Sequence, residues 1–79
     1  MLASYIEAAM RHVYCEILED DGSHYCEIPV CLGVWSNEAT IEATLADLRG
    51  ALEGWIELGL ALNHPLPEID GVIVRQAVV

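Results

Sequence analysis

The sequence feature that most constrains the fold is a periodic run of apolar residues between positions 40 and 62. Residues spaced by one, three or four positions form this run: Ile41, Leu45, Leu48, Leu52, Trp55, Ile56 and Gly59. At about 100° per residue they share one side of a helix, which is the pattern of a helix lying on an apolar surface. Thr40 can cap the start of this helix, and Asn63 can adopt the left-handed conformation that ends one. The apolar face of a helix of roughly 33 Å must pack against other elements, and we expect the rest of the chain to form a sheet beneath it.

The size and composition of the chain predict one small domain that associates with other chains. The chain has 79 residues, of which 54% are hydrophobic. A domain this short buries only about two-thirds of its unfolded surface, so we expect another chain to cover part of its apolar surface. The sequence therefore predicts a single domain over residues 1–79 that forms a homo-oligomer, either a dimer or a tetramer, or that has an obligate partner.

The charge balance argues against nucleic acid as a direct ligand. The chain has 13 acidic residues against three arginines and no lysine, a net charge of −10. This charge repels phosphate and attracts a basic protein, although acidity also serves simply to keep a small apolar domain soluble. No apolar run is long enough to span a membrane, and Glu7 interrupts the apolar start that a secretory signal would need. We therefore expect a cytoplasmic protein without membrane contact, in which Cys15, Cys26 and Cys31 are reduced.

The remaining periodic segments predict a two-layer α+β fold. A helix is expected over residues 2–11 and a three-stranded meander over 12–36; a last strand over 71–78 follows the long helix at 40–62. The element order is then α-β-β-β-α-β. Because a helix carries the chain between the third and fourth strands, the last strand can lie parallel to the first. We predict a four-stranded, mainly antiparallel sheet of order 3-2-1-4, covered on one face by the long helix.

The first hairpin has a recognisable turn sequence. Asp21-Gly22 suits a two-residue type I′ turn, which would set Cys15 opposite Ile28. Cys15 and Cys26 would then be diagonal neighbours on the two strands. No disulfide is expected between them.

The stretch from residue 28 to residue 43 resembles the central motif of the HicB-like antitoxin family. It reads Ile-Pro-Val-Cys-Leu-Gly-Val-Trp-Ser-Asn-Glu-Ala-Thr-Ile-Glu-Ala. In that family a strand ends in Glu-Pro or Val-Pro, a turn containing glycine follows, and a threonine-capped helix begins with acidic residues and alanine. The preceding hairpin and the pair Pro65 and Pro67 after the long helix are also similar to the family. The similarity covers roughly residues 12–70.

The resemblance implies a partial ribonuclease-H-like fold without that enzyme's active site, which neutralises a small basic toxin ribonuclease of the HicA type. The chain departs from the family pattern at Glu38, where family members have glycine, and at Ala43, where they have an acid. Complete family members also usually carry a C-terminal DNA-binding segment. Because this sequence ends at Val79, just past the last predicted strand, we expect a short form that lacks this segment, and we do not expect autorepression from it.

Residues capable of catalysis or metal binding are present, but they form no established pattern. Glu16 and Glu27 would lie near each other across the predicted hairpin, which leaves a hypothetical metal site for a nuclease. A zinc site could use His12 or His24 with the two hairpin cysteines, but the spacing matches no known ligand pattern. A solvated pair of acids is the simpler interpretation. We expect no enzymatic activity, no metal and no cofactor.

The outer face of the long helix and the third strand supply the candidate partner-binding residues. Glycine inside an exposed helix costs about 1 kcal/mol relative to alanine, and close approach of another helix would explain Gly50 and Gly54. That helix could be the chain's own first helix, a second subunit or a toxin, or the glycines could simply face water. Trp35, on a strand expected at a sheet edge, either anchors an interface or packs beneath the long helix. The predicted partner-binding residues are Trp35, Ala43, Ala46, Gly50, Gly54 and Leu58.

Together these features predict an acidic domain that binds proteins without catalysis. We expect its acidic, partly apolar surface to cover the basic RNA-binding face of a toxin ribonuclease. The alternative is a stand-alone homo-oligomeric module of the same fold, with a regulatory role and no toxin partner. A metal-dependent nuclease is the third hypothesis.

Overall fold

A computed structural model describes residues 2–74, which form two helices and one three-stranded antiparallel sheet. The elements are α1 (Leu2–Met10), β1 (Tyr14–Ile17), β2 (His24–Glu27), β3 (Trp35–Glu38) and α2 (Ile41–Ala61). The strand order is β1-β2-β3, so β2 is central and the other two strands are edges. Helix α2 packs along β2 and β3 on one face of the sheet, and α1 packs beside α2. The α+β class is confirmed, and both helices lie within one residue of their predicted bounds.

The long helix α2 forms as its apolar spacing predicts. Leu48, Leu52 and Ile56 are buried in the core, and burial of a side chain of this size contributes about 2 kcal/mol. Thr40 has an extended backbone, and its hydroxyl accepts a hydrogen bond at 3.1 Å from a backbone N–H of the first turn. After the helix, Asn63 adopts the left-handed conformation with φ 62°. No helix within residues 2–74 is long and apolar enough to cross a membrane.

The core lies between the two helices and the inner face of the sheet. Its buried apolar members are Tyr5, Ile6, Ala8, Ala9, Cys26, Ile28, Cys31, Val34, Leu48, Leu52, Ile56 and Ile69. Burial, with Cys31 as a smaller cause, raises the pKa of Tyr5 to about 12. The Tyr5 hydroxyl donates to the carbonyl oxygen of Pro67 at 2.7 Å. Asp70 adds a second link to the end of α1, because its carboxylate contacts Arg11 at 3.2 Å and His12 at 2.7 Å. The segment after α2 is thereby fixed to α1.

The predicted last strand over residues 71–78 is wrong where the structure describes it. The chain reverses at Asp70 and Gly71, whose φ angles are 51° and 79°. Ile69 and Val72 form an isolated bridge across this turn. The β-branched run that predicted a strand follows the turn directly, so it folds back on Ile69 instead of pairing with β1. The rest of that segment lies outside the described residues. The sheet of the described chain has three strands instead of four, and the order 3-2-1-4 is wrong.

The hairpin between β1 and β2 has a longer turn than its sequence predicted. The Leu18 N–H donates to the carbonyl oxygen of Ser23 at 2.9 Å, which closes a loop over residues 19–22. Asp21 does not begin a two-residue turn. Instead its carboxylate accepts hydrogen bonds from the Ser23 N–H at 2.9 Å and from the Ser23 hydroxyl at 2.6 Å. These side-chain bonds stabilise the longer loop and lower the pKa of Asp21.

The register that this loop sets brings two cysteines together. Cys15 lies directly opposite Cys26, not opposite Ile28, and a disulfide joins them across a Cα–Cα distance of 4.1 Å. The expectation of no disulfide is therefore wrong for this pair. Cys31 is free and buried, and its burial raises the pKa of the thiol to about 11. Disulfides are rare in the cytosol, so this bond does not support the predicted cytoplasmic location. That location stays a prediction.

Candidate partner-binding surfaces

One face of the sheet has no helix on it in the described part of the chain. Side chains alternate between the two faces of a strand, and Cys26 and Ser36 point to the side of α2, where both are buried. The Ser36 hydroxyl donates to Asp47 of α2 at 2.6 Å, which fixes β3 against the helix. The residues that alternate with them point away from α2 and form a surface that we call the open face. The open face consists of Tyr14, Glu16, Tyr25, Glu27, Trp35 and Asn37.

The open face is arranged as two rows that cross the three strands. The first row holds Tyr14, Glu27 and Trp35, and the second holds Glu16, Tyr25 and Asn37. Residues directly opposite each other in an antiparallel pair have Cβ atoms about 4.5–5.5 Å apart. Each carboxylate therefore has an aromatic ring as a cross-strand neighbour.

Two aromatic rings connect the rows. The ring centroids of Tyr25 and Trp35 are 6.1 Å apart, with 25° between the ring planes, which is a stacked arrangement. Trp35 is 57% exposed and lies on the edge strand β3, on the side away from α2. Of the two interpretations of this residue, packing beneath the long helix is therefore wrong. Its role as an interface anchor stays a prediction.

A hydrogen bond orients the central carboxylate of the open face. The Tyr25 hydroxyl donates to Oε1 of Glu27 at 2.7 Å. This bond is the largest cause of the raised pKa of Tyr25, ahead of its burial and the charges of Glu27 and Glu16. The phenol therefore remains a donor at physiological pH. The open face has two carboxylates and no lysine, arginine or histidine, so its electrostatic potential is negative.

The outer face of α2 is a second candidate surface. Its predicted partner-binding residues, Ala43, Ala46, Gly50, Gly54 and Leu58, are all exposed. A Cβ atom added at Gly50 or Gly54 would meet no atom within 4 Å, so α1 leaves the space over these glycines open. Both glycines line a groove of about 560 Å³ between α1 and α2, which Leu2, Ile6, Arg49, Glu53 and Glu57 also line.

The six predicted partner-binding residues do not form one site. Trp35 lies on the open face, whereas Gly50 and Gly54 lie in the groove on the helical side of the sheet. Leu58 lines a smaller pocket of about 170 Å³ beside the loop that follows α2. A single partner would therefore reach only part of the predicted set.

The sequence did not single out Tyr14 and Tyr25, although a signal for them was present. Both alternate along their strands with a cysteine, so strict alternation places them on the face away from the core. Glu16 and Glu27, which were paired only as hypothetical metal ligands, lie opposite these two tyrosines instead of opposite each other.

The chemistry of the hairpin cysteines does not fit a zinc site. Cys15 and Cys26 are bonded to each other, so neither supplies the thiolate that zinc requires. Within residues 2–74, no three His, Cys, Asp or Glu side chains are placed to hold a metal ion.

The fold is that of a small α+β domain with one long helix on one side of a short antiparallel sheet. The chain belongs to the UPF0150-like family, whose model matches residues 4–67. It is also similar to the crystal structure of TTHA0281 from Thermus thermophilus, with a TM-score of 0.88 and 28% sequence identity. That similarity covers 98% of this chain and 95% of the other. No curated protein matches the chain.

Proposed function

We propose that the chain is a non-catalytic, HicB-like antitoxin domain that binds and occludes a small basic toxin ribonuclease of the HicA type. The observation that carries this proposal is the open face, which presents carboxylates and aromatic rings without a basic side chain. Membership of the UPF0150-like family supports it. The motif over residues 28–43, which resembles the HicB-like family, supports the finer assignment.

Charge complementarity would provide both attraction and occlusion. A net charge of −10 attracts a basic chain and accelerates its association at low salt. A ribonuclease holds RNA phosphates with basic residues, so carboxylates on the open face would compete with phosphate for the same cations. Aromatic rings beside these carboxylates supply the apolar contact that stabilises a complex. One contact would therefore both bind the toxin and exclude its RNA.

The test is to search the genes beside that of this chain for a small basic protein, to express any such protein together with the chain, and to measure complex formation and RNA cleavage. We expect a stable complex in which cleavage is inhibited and whose affinity falls as the salt concentration rises. Recovery of the chain only as a homo-oligomer, with cleavage by the basic protein undiminished, would refute the proposal.

A matched pair of variants tests whether the open face is the binding surface. Glu27→Gln removes one charge from the open face, and Glu53→Gln removes one charge from the groove beside α2. We expect the first variant to weaken toxin binding by about tenfold and the second to leave it unchanged. The reverse order would place the toxin in the groove.

A second candidate function is a stand-alone homo-oligomeric module of the same fold. The groove over Gly50 and Gly54 favours it, as do large apolar side chains on the surface such as Leu32, which is 84% exposed. Light scattering on the purified chain tests it. A dimer or tetramer that Gly54→Gln dissociates, together with no recovery of a basic partner, would favour this module over the antitoxin.

We further propose that the chain has no nuclease activity of its own. Glu16 and Glu27 are diagonal neighbours in the hairpin, each opposite a tyrosine, and no third His, Cys, Asp or Glu side chain within residues 2–74 is placed with them to hold a metal ion. Incubation of the purified chain with RNA, with and without Mg²⁺, tests this. Cleavage that needs Mg²⁺ and disappears in Glu27→Gln would overturn the proposal.

A further inference from the structure

We infer that the open face is a docking site for arginine side chains, in which Trp35 and Tyr25 form the stacking surface for a guanidinium group and Glu27 is its ion-pair partner. This inference deepens the proposed function and rests on it for the identity of the natural partner. It specifies which basic residue the partner must present and which three side chains of this chain receive it.

The geometry of the first row fits a flat cation with several donors. Glu27 lies directly opposite Trp35 on one side and Tyr14 on the other, so its carboxylate is bordered by rings on both neighbouring strands. A guanidinium group that stacks on an aromatic face directs its N–H donors sideways, in the plane of the group. Donors in that plane would reach a carboxylate one strand away, since cross-strand Cβ atoms are about 4.5–5.5 Å apart.

The receiving carboxylate is already oriented. The Tyr25 hydroxyl donates to Oε1 of Glu27 at 2.7 Å, which holds the side chain in one position without neutralising its charge. A carboxylate has about four acceptor positions, so this bond leaves several for an incoming guanidinium. Both residues are half-buried, so an ion pair formed there is less screened than one on a fully exposed surface.

No arginine of the described chain takes this position. Arg11 contacts Asp70 at the end of α1, and Arg49 lines the groove beside α2, on the other side of the sheet. Neither arginine within residues 2–74 occupies the open face, and the arginine that we propose for it belongs to a partner molecule. Phosphate-bearing partners such as RNA or an anionic membrane do not suit a face whose charged side chains are both glutamates.

Arginine fits this face better than lysine for a physical reason. An ammonium group is a compact, strongly hydrated charge that neither stacks on a ring as a plane nor binds a carboxylate bidentately. A guanidinium group does both and is more weakly hydrated, so it loses less on leaving water. The open face should therefore discriminate between the two cations, which a merely acidic surface would not.

The experiment is an NMR titration of the full chain with the capped peptide acetyl-Gly-Arg-Gly-Arg-Gly-amide, and with its lysine and citrulline counterparts. The two tryptophans provide separate indole N–H signals, because Trp35 lies on the open face and Trp55 lies on α2. We expect the arginine peptide to shift the Trp35 signal with saturation and to leave the Trp55 signal in place. The lysine peptide should bind at least about fivefold more weakly, and the citrulline peptide should not bind.

Two variants test whether the shift of the Trp35 signal depends on the carboxylate of Glu27. Glu27→Gln should weaken binding of the arginine peptide by about tenfold, and the matched variant Glu53→Gln should leave it unchanged. Equal affinity for the arginine and lysine peptides, equal effects of the two variants, or shifts confined to Trp55 and the groove would each overturn the inference.

The inference and the proposed function can fail separately. Arginine-peptide binding at Trp35 with no recovery of a basic toxin would leave the inference standing and remove the antitoxin function. Toxin binding that survives both Glu27→Gln and Trp35→Ala would leave the antitoxin function standing and overturn the inference.

Discussion

Reduction of the disulfide between Cys15 and Cys26 should lower the free energy of unfolding of the domain. The length of the loop that the bond closes gives the expected magnitude. The bond joins residues separated by 11 positions, and the entropy of closing a loop of that length corresponds to about 3 kcal/mol. Strand β1 depends on this bond more than other elements do, because its contacts are with β2 alone among the helices and strands. All four β1 residues are exposed, so little apolar burial replaces the constraint when it is lost.

The assay is urea unfolding followed by far-UV circular dichroism, with and without a thiol-free reductant. For a slope of about 1 kcal/mol per M, a loss of about 3 kcal/mol moves the midpoint down by about 3 M. Cys15→Ala provides the control, because the bond cannot form in it and Cys15 is exposed, so the substitution leaves no cavity. Reductant should leave the midpoint of this variant unchanged.

A midpoint that moves equally in the wild-type chain and in Cys15→Ala, or that moves in neither, would show that the two cysteines are not bonded. The register of the hairpin would still stand, because two cysteines can lie opposite each other as free thiols.

Three further predictions concern packing, charge and the remaining thiol. Gly50→Ala should stabilise α2 by about 1 kcal/mol, because its Cβ would meet no atom within 4 Å. Gly59→Ala should gain less, because its Cβ would lie 2.8 Å from Cδ2 of Leu66, which must move; equal gains in urea unfolding would contradict this. Hydrogen bonding to its two basic neighbours lowers the pKa of Asp70, so its stabilising contribution is present above its ordinary pKa and is lost as pH falls through the lowered value. The difference in melting temperature between the wild-type chain and Asp70→Asn should therefore shrink below about pH 4, and a constant difference would refute the ion pair. Cys31 is buried and its thiol has a pKa of about 11, so it should resist iodoacetamide at about pH 8 in the folded chain. After unfolding without reductant it should be the single reactive thiol, and three reactive thiols would contradict the disulfide.

The helices could be predicted from the sequence because their signals are local. The apolar stripe that includes Leu48 and Leu52, the capping hydroxyl of Thr40 and the left-handed Asn63 lie within a few turns of one another. Each acts on the same stretch of backbone, so together they fixed the bounds of α2 within one residue.

The register of the hairpin could not be predicted in the same way. A shift of two residues keeps every side chain on the same face of the sheet, so alternation is equally satisfied when Cys15 lies opposite Cys26 or opposite Ile28. The choice between them depends on the side chain of Asp21, whose hydrogen bonds to Ser23 stabilise the longer loop. Turn composition alone does not reveal those bonds.

Within residues 2–74, the sequence signals for the last predicted segment and for the open face differ in how far they could be interpreted. Val72 follows Asp70 and Gly71, whose positive φ angles reverse the chain and allow Val72 to form a bridge with Ile69. Part of the open face could be predicted, because alternation with a cysteine assigns Tyr14 and Tyr25 to the side away from the core, whereas for Trp35 the sequence left both sides open. Their grouping with Glu27 depends on the register between strands, which alternation does not fix.

The most direct test of binding through the open face is to map the contact of the full chain with the basic partner that the co-expression experiment recovers. Amide and indole NMR signals of the chain would be compared before and after the complex forms. Docking through the open face predicts changes at Tyr14, Tyr25 and Trp35, with the signals of Gly50 and Gly54 in place. Changes confined to the two glycines, with the Trp35 indole signal unmoved, would contradict it.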